Sequence, residues 1–574
     1  MPKQIEIRNL SYRLASLPPE RSDILRGISL SVEKGSFIAI VGANGSGKTT
    51  LIKHINGLDT PTKGNVIVEG LNTKDPQNGK KLRALVGMVF QEPSHQIVAS
   101  TVEEDVAFGL ENLNLPTRNI QSIVKQQLIS AELTEEATRP PHLLSGGQIQ
   151  RLALAGVLAR QPSIILFDEP TSMLDPISRK RFLSTVLDLK NQGITILLVT
   201  HHMDEAVQAD RVIVMSRGQI IEEGSPAEIF TDNDKLYEIG LELPRITKFI
   251  QGFRQIGWKM SGNLVDPDDL ISKLPIFDGR VNNYPSDKLP EQREEIISFQ
   301  DVHYTYLAGT PLARHALRGV NLNTSSEVIH GIAGGNGSGK STLLQHINGI
   351  LRPSTGRIQV NDYHIENPST PLREIIRLVG LVFQNPETQF FEVFVGDEIA
   401  YGPKQFGMND VRERVRSSMD LVNLDFDSFK DRRLATLSGG EKRKVALAST
   451  LILNQGILLF DEPTAGMDPV SKAEILKLFT SLRDEGKTIV IASHRMDELA
   501  EVADDLSIMH GGKVMRTGNS QDIFLNTKSL LQAGLEAPLA VQLSQALIEK
   551  GWPLNRINTT TAGRLFRAIQ EVTQ

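Results

Sequence analysis

Cysteine is absent from the 574 residues, which excludes disulfides, thiolate zinc sites and cysteine-ligated iron–sulfur clusters. Long hydrophobic runs are absent as well: none approaches the roughly 18 apolar residues that cross a bilayer. The opening Met1-Pro2-Lys3-Gln4-Ile5-Glu6 has no apolar signal-peptide region, so a chain that stays in the cytosol is expected. A basic surplus is also missing. The net charge of -6 argues against a nucleic-acid binder held by phosphate attraction, and no nucleic-acid partner is expected. With domains of about 100–200 residues, a chain of this length holds two to four units.

Aromatic residues are scarce, and the only two tryptophans, Trp258 and Trp552, stand 294 positions apart. Other segments repeat near the same interval. His54-Ile55-Asn56-Gly57 returns 292 positions on as His346-Ile347-Asn348-Gly349, and Phe167-Asp168-Glu169-Pro170-Thr171 returns 293 positions on as Phe460-Asp461-Glu462-Pro463-Thr464. The chain is therefore two collinear halves. Asp266-Pro267-Asp268-Asp269 through Pro275, Pro285 and Pro290 reads as a proline-broken polar linker, which places the join at residues 276–294. About 19 extended residues reach at most roughly 60–70 Å, enough to leave the halves free to pack face to face.

Within each half, short apolar runs alternate with helical patterns. Phe37 to Val41, Ile164 to Phe167, Ile194 to Val199 and Arg211 to Met215 are continuously apolar and rich in β-branched residues. Such runs predict strands buried on both faces, hence a parallel sheet covered by helices and an α/β fold.

Gly42-Ala43-Asn44-Gly45-Ser46-Gly47-Lys48-Thr49 and Gly334-Gly335-Asn336-Gly337-Ser338-Gly339-Lys340-Ser341 both fit the phosphate-cradling pattern G-x-x-x-x-G-K-[ST]. A strand enters each loop and helical spacing leaves it, so backbone N–H groups and a helix dipole face an anion. Lys48 and Lys340 are expected on the β and γ phosphates of ATP, Thr49 and Ser341 on Mg2+, and the next residues, Thr50 and Thr342, complete the phosphate-binding set. A glycine-rich turn arises by chance, but not twice at the repeat interval. Asp168 and Asp461 each end an apolar run, where they would complete the Mg2+ site, and the following Glu169 and Glu462 would polarise the attacking water. An acidic pair after a strand is by itself more often a solvated turn; the phosphate loop in the same half reverses that preference.

Leu144-Ser145-Gly146-Gly147-Gln148 and Leu437-Ser438-Gly439-Gly440-Glu441 each precede a helical pattern. Here the sequence resembles the ABC ATPases. In that family the signature of one domain closes over the ATP held by the other, which implies two shared sites in an intramolecular pseudo-dimer. One would join Lys48, Thr49, Asp168, Glu169 and His201 to Ser438 and Gly440; the other would join Lys340, Ser341, Asp461, Glu462 and His494 to Ser145 and Gly147. The resemblance also makes Gln91 and Gln384 the glutamines that contact Mg2+ and link to a membrane partner, Asp175 and Asp468 the D-loop residues, and His201 and His494 the switch histidines. His202 and His330 are read as structural. Tyr306 matches the aromatic that stacks on adenine, whereas the aligned residue in the first half is Leu14, so unequal sites are expected. Glu441 stands where the signature usually has glutamine, with little effect expected.

Two further stretches, Gly87 to Gly109 and Gly380 to Pro403, resemble the paired ATPases of energy-coupling-factor vitamin and metal importers. The tails after each core resemble the small C-terminal helical modules of the same ATPases. The implied organisation is a first ATPase domain at 1–224, its module at 225–275, the linker at 276–294, a second ATPase domain at 295–517 and its module at 518–574. Implied partners are a transmembrane coupling subunit and a substrate-binding membrane subunit, with the chain peripheral on the cytoplasmic face of the cell membrane. Coupling-helix arginines could meet Glu103, Glu104, Asp105, Asp397 or Glu398. Tandem ATPases of sugar importers are the nearest alternative. Soluble ABC-F translation factors use a long charged helical linker, unlike the proline-broken join here.

Overall fold

The computed structural model describes residues 3–14, 23–113, 115–144, 146–171, 174, 176–230, 233–260, 267–277, 293–310, 313–554 and 559–573. Two compact units emerge, Met1–Gln251 on one side and Gly252–Met260 with Pro267–Gln574 on the other. Most of the linker, residues 278–292, lies outside the described residues.

In the first unit the runs Phe37–Val41, Ile164–Asp168 and Thr195–Val199 are strands in which every residue is buried, as continuous apolar runs require, with polar side chains only at the ends, Asp168 and Thr195. They form the middle of a six-stranded sheet in the order Gln219–Gly224, Arg211–Ser216, Phe37–Val41, Thr195–Val199, Ile164–Asp168, Val86–Val89. Five strands run parallel; Gln219–Gly224 closes one edge antiparallel to Arg211–Ser216. A second sheet of four antiparallel strands, Asp23–Glu33, Lys3–Arg13, Lys63–Val68 and Leu71–Asn72, escapes the search for continuous apolar runs. Its strands are buried on one face only, through Ile5, Ile7, Leu30, Val66 and Val68, and share a core with the parallel sheet through Ile38, Ile40, Leu166 and Val199. Helices Val102–Glu111, Thr117–Ser130 and Gly146–Leu158 enclose their own core of Val106, Leu110, Leu128 and Leu152.

The second unit repeats the plan. Its six-stranded sheet runs Val379–Val382, Ile457–Asp461, Thr488–Ser493, Ile329–Gly334, Asp505–His510, Lys513–Asn519, beside a four-stranded sheet built on Glu295–Tyr306. His330 is buried in the strand entering the phosphate loop, between the Thr324 and Ser507 hydroxyls at 2.9 and 2.8 Å. Burial lowers its pKa to about 4, so the ring is neutral.

This unit also gathers both tryptophans. Trp258 stacks on Phe253 with centroids 4.8 Å apart, and lies 5.1 Å from Trp552, which in turn lies 5.2 Å from Phe277. The Trp552 indole N–H donates to the Pro275 carbonyl at 2.9 Å, and Lys550 Nζ donates to the carbonyls of Ile271, Ser272 and Leu274 at 2.9, 3.1 and 2.7 Å. An ammonium at the end of helix Pro267–Ser272 satisfies carbonyls that the helix cannot. Lys550→Met should therefore destabilise this cluster by about 1.5–3 kcal/mol, the range for charged hydrogen bonds. Since both tryptophans sit in it, denaturant unfolding followed by tryptophan fluorescence reads the cluster directly; an unshifted midpoint would refute the role of Lys550.

Candidate functional site

Parallel strands bring their carboxyl ends to one edge of the sheet, and the candidate residues follow those ends. In the first unit Gly42 follows Val41, while Asp168 is paired in register with Val199, two residues before His201. In the second, Gly334 ends the central strand and Asp461 pairs with Ala492, two residues before His494.

Each phosphate loop leaves its strand under a close backbone approach. A Cβ on Gly42 would meet the Met215 carbonyl oxygen at 2.3 Å and Ser46 Oγ at 2.7 Å; one on Gly334 would meet Ser338 Oγ at 2.4 Å and the Met509 oxygen at 2.7 Å. Gly47 and Gly339, at φ 99° and 104°, adopt the left-handed conformation that starts helices Lys48–Ile55 and Lys340–Ile347. The tips Asn44, Gly45, Asn336 and Gly337 are exposed, whereas Ser46 Oγ and Ser338 Oγ are buried with no hydrogen-bond partner among the described residues. Lys48 is buried and donates to the carbonyls of Gly42 at 2.8 Å and Ala43 at 3.0 Å; Lys340 donates likewise to Gly334 and Gly335 at 2.8 and 3.1 Å. Burial pulls the Lys48 pKa down, against the opposing pull of Glu169 and Asp168. Thr50 and Thr342 give their carbonyls to His54 and His346 Nδ1 at 2.7 Å each. Those rings are neutral, since burial lowers both.

The acidic residues converge on the loops. The Thr49 hydroxyl donates to Asp168 Oδ1 at 2.9 Å. Burial raises the pKa of Asp168 and Asp461 alike. Glu169 and Glu462 sit at φ +47° and +48°, a strained conformation for glutamate, held by N–H bonds of 2.9 Å to the Val199 and Ala492 carbonyls. Gln91 Nε2 donates to Glu169 Oε2 at 3.1 Å, and His201 Nδ1 lies 3.2 Å from the same oxygen. In the second unit Glu462 Oε1 meets the His494 ring at 2.7 Å and its backbone N–H at 3.1 Å. Burial pushes both glutamates up, but the histidine beside each and the nearby lysine outweigh it, leaving them below the ordinary value. They are carboxylates at neutral pH.

Tyr306 is fixed by its hydroxyl, 3.2 Å from Thr342 Oγ1, and by an edge-to-face contact with Tyr304, itself edge-on to His346. In the first unit Tyr12 packs on His54 in the same way, but Leu14 offers no ring. Ser438 caps helix Gly439–Leu451 by a reciprocal bond with Glu441, which also takes Arg432 at 3.0 Å. Among the described residues no hydrogen bond joins Ser438, Gly440 or Gly147 to the phosphate loop of its own unit. Ser145 and Asp175 lie outside the described residues.

Two of the acids assigned to a partner's arginines are occupied internally. Asp105 Oδ1 accepts the backbone N–H groups of Val98 and Ala99 at 2.9 and 3.2 Å, and Glu398 Oε2 accepts those of Phe391 and Glu392 at 2.8 Å each. Each pins the segment that follows Gln91 or Gln384 through one carboxylate oxygen. Glu104 is engaged in the cap of helix Val102–Glu111, and Asp397 pairs with Lys404 at 3.4 Å. A second missed pair is Glu205, which is buried, and Glu498, which is nearly so; they accept the hydroxyls of Thr171 and Thr464, two residues beyond Glu169 and Glu462. The signal for both pairs was available: each is an acid repeated 293 positions on.

Hard oxygen donors, Thr49 with Asp168 and Ser341 with Asp461, suit Mg2+. Asp461 Oδ1 is buried with no hydrogen-bond partner among the described residues, and a cation would satisfy it. Among the described residues no group of three or more histidine, cysteine and acidic side chains could hold a metal ion alone.

Comparison with known proteins matches residues 25–172 and 317–465 to the family model described as ABC transporter. An ABC transporter ATP-binding protein of Caldanaerobacter subterraneus is 34% identical over 564 residues, covering 95% of this chain and 96% of that protein. An energy-coupling factor transporter ATP-binding protein of Clostridium novyi is 44% identical over 271 residues, 47% of this chain and 97% of that protein. Among solved structures, cbiO1 of Clostridium perfringens, part of an ABC transporter complex, is 33% identical over 44% of this chain and 99% of its own, with a TM-score of 0.37.

Proposed function

The chain belongs to the ABC transporter family as an ATP-binding, ATP-hydrolysing protein, and we propose that it drives an importer of the energy-coupling-factor type for a vitamin, vitamin precursor or metal ion. In this reading it works on the cytoplasmic face of the membrane with a transmembrane coupling subunit and a substrate-binding membrane subunit. Each Mg-ATP is held by one half's Lys48 or Lys340 set and closed by the other half's signature, and Gln91 and Gln384 carry closure to the membrane. No helix among the described residues is long and apolar enough to cross a membrane.

The observation that supports the membrane partner is an exposed apolar pair repeated in the stretch of chain that follows each of these glutamines. Val98 and Phe108 are 62% and 50% exposed in the first unit; 293 positions on, Phe391 and Tyr401 are 74% and 36% exposed and stack at 5.3 Å. Val393 adds a further 58% exposed side chain. A water-soluble chain gains nothing from such a patch, which fits an apolar partner helix. Phe391→Asp should leave the ATPase activity of the isolated chain within about twofold and lower the yield of co-purifying membrane proteins by at least about tenfold, the effect of roughly 1.4 kcal/mol of lost binding. Equal recovery of those proteins would sink the proposal. Glu104 is a poor probe, because charge reversal there also breaks the helix cap.

A further inference from the structure

Of the buried positions at which the signature helices of the two halves differ, one carries a charge in the second half alone. Arg443, in helix Gly439–Leu451, is 6% exposed and sends one guanidinium N–H to the Glu462 carbonyl at 2.6 Å and another to the Gln384 carbonyl at 2.8 Å. Burial lowers its pKa to about 10, so it is charged at neutral pH. The corresponding residue 293 positions earlier is Gln150, 5% exposed, whose amide donates to the carbonyl of Pro170. The planar fork of Arg443 spans two separated carbonyls from two of its nitrogens, whereas the shorter Gln150 amide donates from a single nitrogen to Pro170.

The consequence falls on the reacting groups. In the first unit the link between Gln91 and Glu169 is made by their side chains, which must part before one turns to the metal and the other to water. In the second, Arg443 makes the equivalent link through the two backbones, and the Glu462 side chain rests on His494 instead. We propose that Arg443 is a positioning residue that fixes Gln384 and Glu462 to the signature helix and makes the site carrying Glu462 the faster of two unequal ATP sites. The inference rests on Glu169 and Glu462 being the hydrolytic residues.

Steady-state hydrolysis by the full chain separates the sites: Glu169→Gln leaves the site of Glu462 active, and Glu462→Gln leaves that of Glu169. If neither single change lowers turnover, the hydrolytic assignment itself fails, independently of Arg443. In the Glu169→Gln chain, Arg443→Gln should lower kcat about tenfold with KM for ATP within about twofold, the mark of lost alignment rather than lost binding. Arg443→Lys, which keeps the charge but loses the rigid planar fork and some of its reach, should recover part of kcat. A kcat within twofold of the parent for Arg443→Gln, or kcat and KM worsening by the same factor, overturns the proposal. Should Arg443→Gln fail to fold, Gln150→Arg in the Glu462→Gln chain decides alone: a kcat at least about threefold higher supports the role, and no rise overturns it.

Discussion

Glu169→Gln and Glu462→Gln combined should leave ATP binding within about twofold and lower hydrolysis by about 10²–10⁴-fold, the usual contribution of a positioned base. Glutamine keeps the size and one acceptor oxygen, so the strained backbone at φ +47° and +48° and the contacts to Gln91, His201 and His494 can persist in altered form. What disappears is the charge. Both glutamates are held below the ordinary carboxylate pKa, because the adjoining histidine and lysine outweigh the burial that would raise them. Their sign is that of groups stabilised as anions, ready to take a proton from water across the neutral range and losing that capacity as pH falls through the depressed value. Nucleotide titration alongside phosphate release checks both halves of the expectation. Hydrolysis within tenfold of the parent would show that the base lies elsewhere.

Much of this site was legible because its residues are local in sequence. Gly42 to Thr49 and Asp168-Glu169 depend on a strand end and a following turn, and both signals sit within a few residues of the chemistry. The antiparallel sheet was less legible because Lys3–Arg13 and its partners are apolar on one face and carry irregular register, which blurs the period-two signal. Asp105 and Glu398 look like a solvated helix face from spacing alone. Their partners are backbone N–H groups six and seven residues earlier, outside the helix, and side-chain periodicity says nothing about them. Arg443 was hidden for a related reason, since a cation in a signature helix reads as surface until its two carbonyl partners, 19 and 59 residues away, are located.

The remaining large effect concerns the lysines. Lys48→Ala and Lys340→Ala should each weaken ATP binding at their own loop by about 10–150-fold, the equivalent of roughly 1.5–3 kcal/mol for a charged hydrogen bond. The ammonium is buried in each loop, where it donates to two carbonyls of that loop. Phosphate oxygens offer it anionic partners in place of neutral ones, so the charge gains most in the bound state. Arginine is no substitute, because a planar fork cannot occupy a cavity shaped for a point charge. Stability should move little. Removing a buried cation relieves the desolvation that lowers the Lys48 pKa, and this offsets the loss of two carbonyl bonds. Equilibrium nucleotide titration of each single variant, paired with denaturant unfolding, separates the two effects. Affinity within threefold of the parent at either loop would remove that lysine from the phosphate site, and a large drop in stability would mean that its bonds to the loop carbonyls matter more for folding than for ATP.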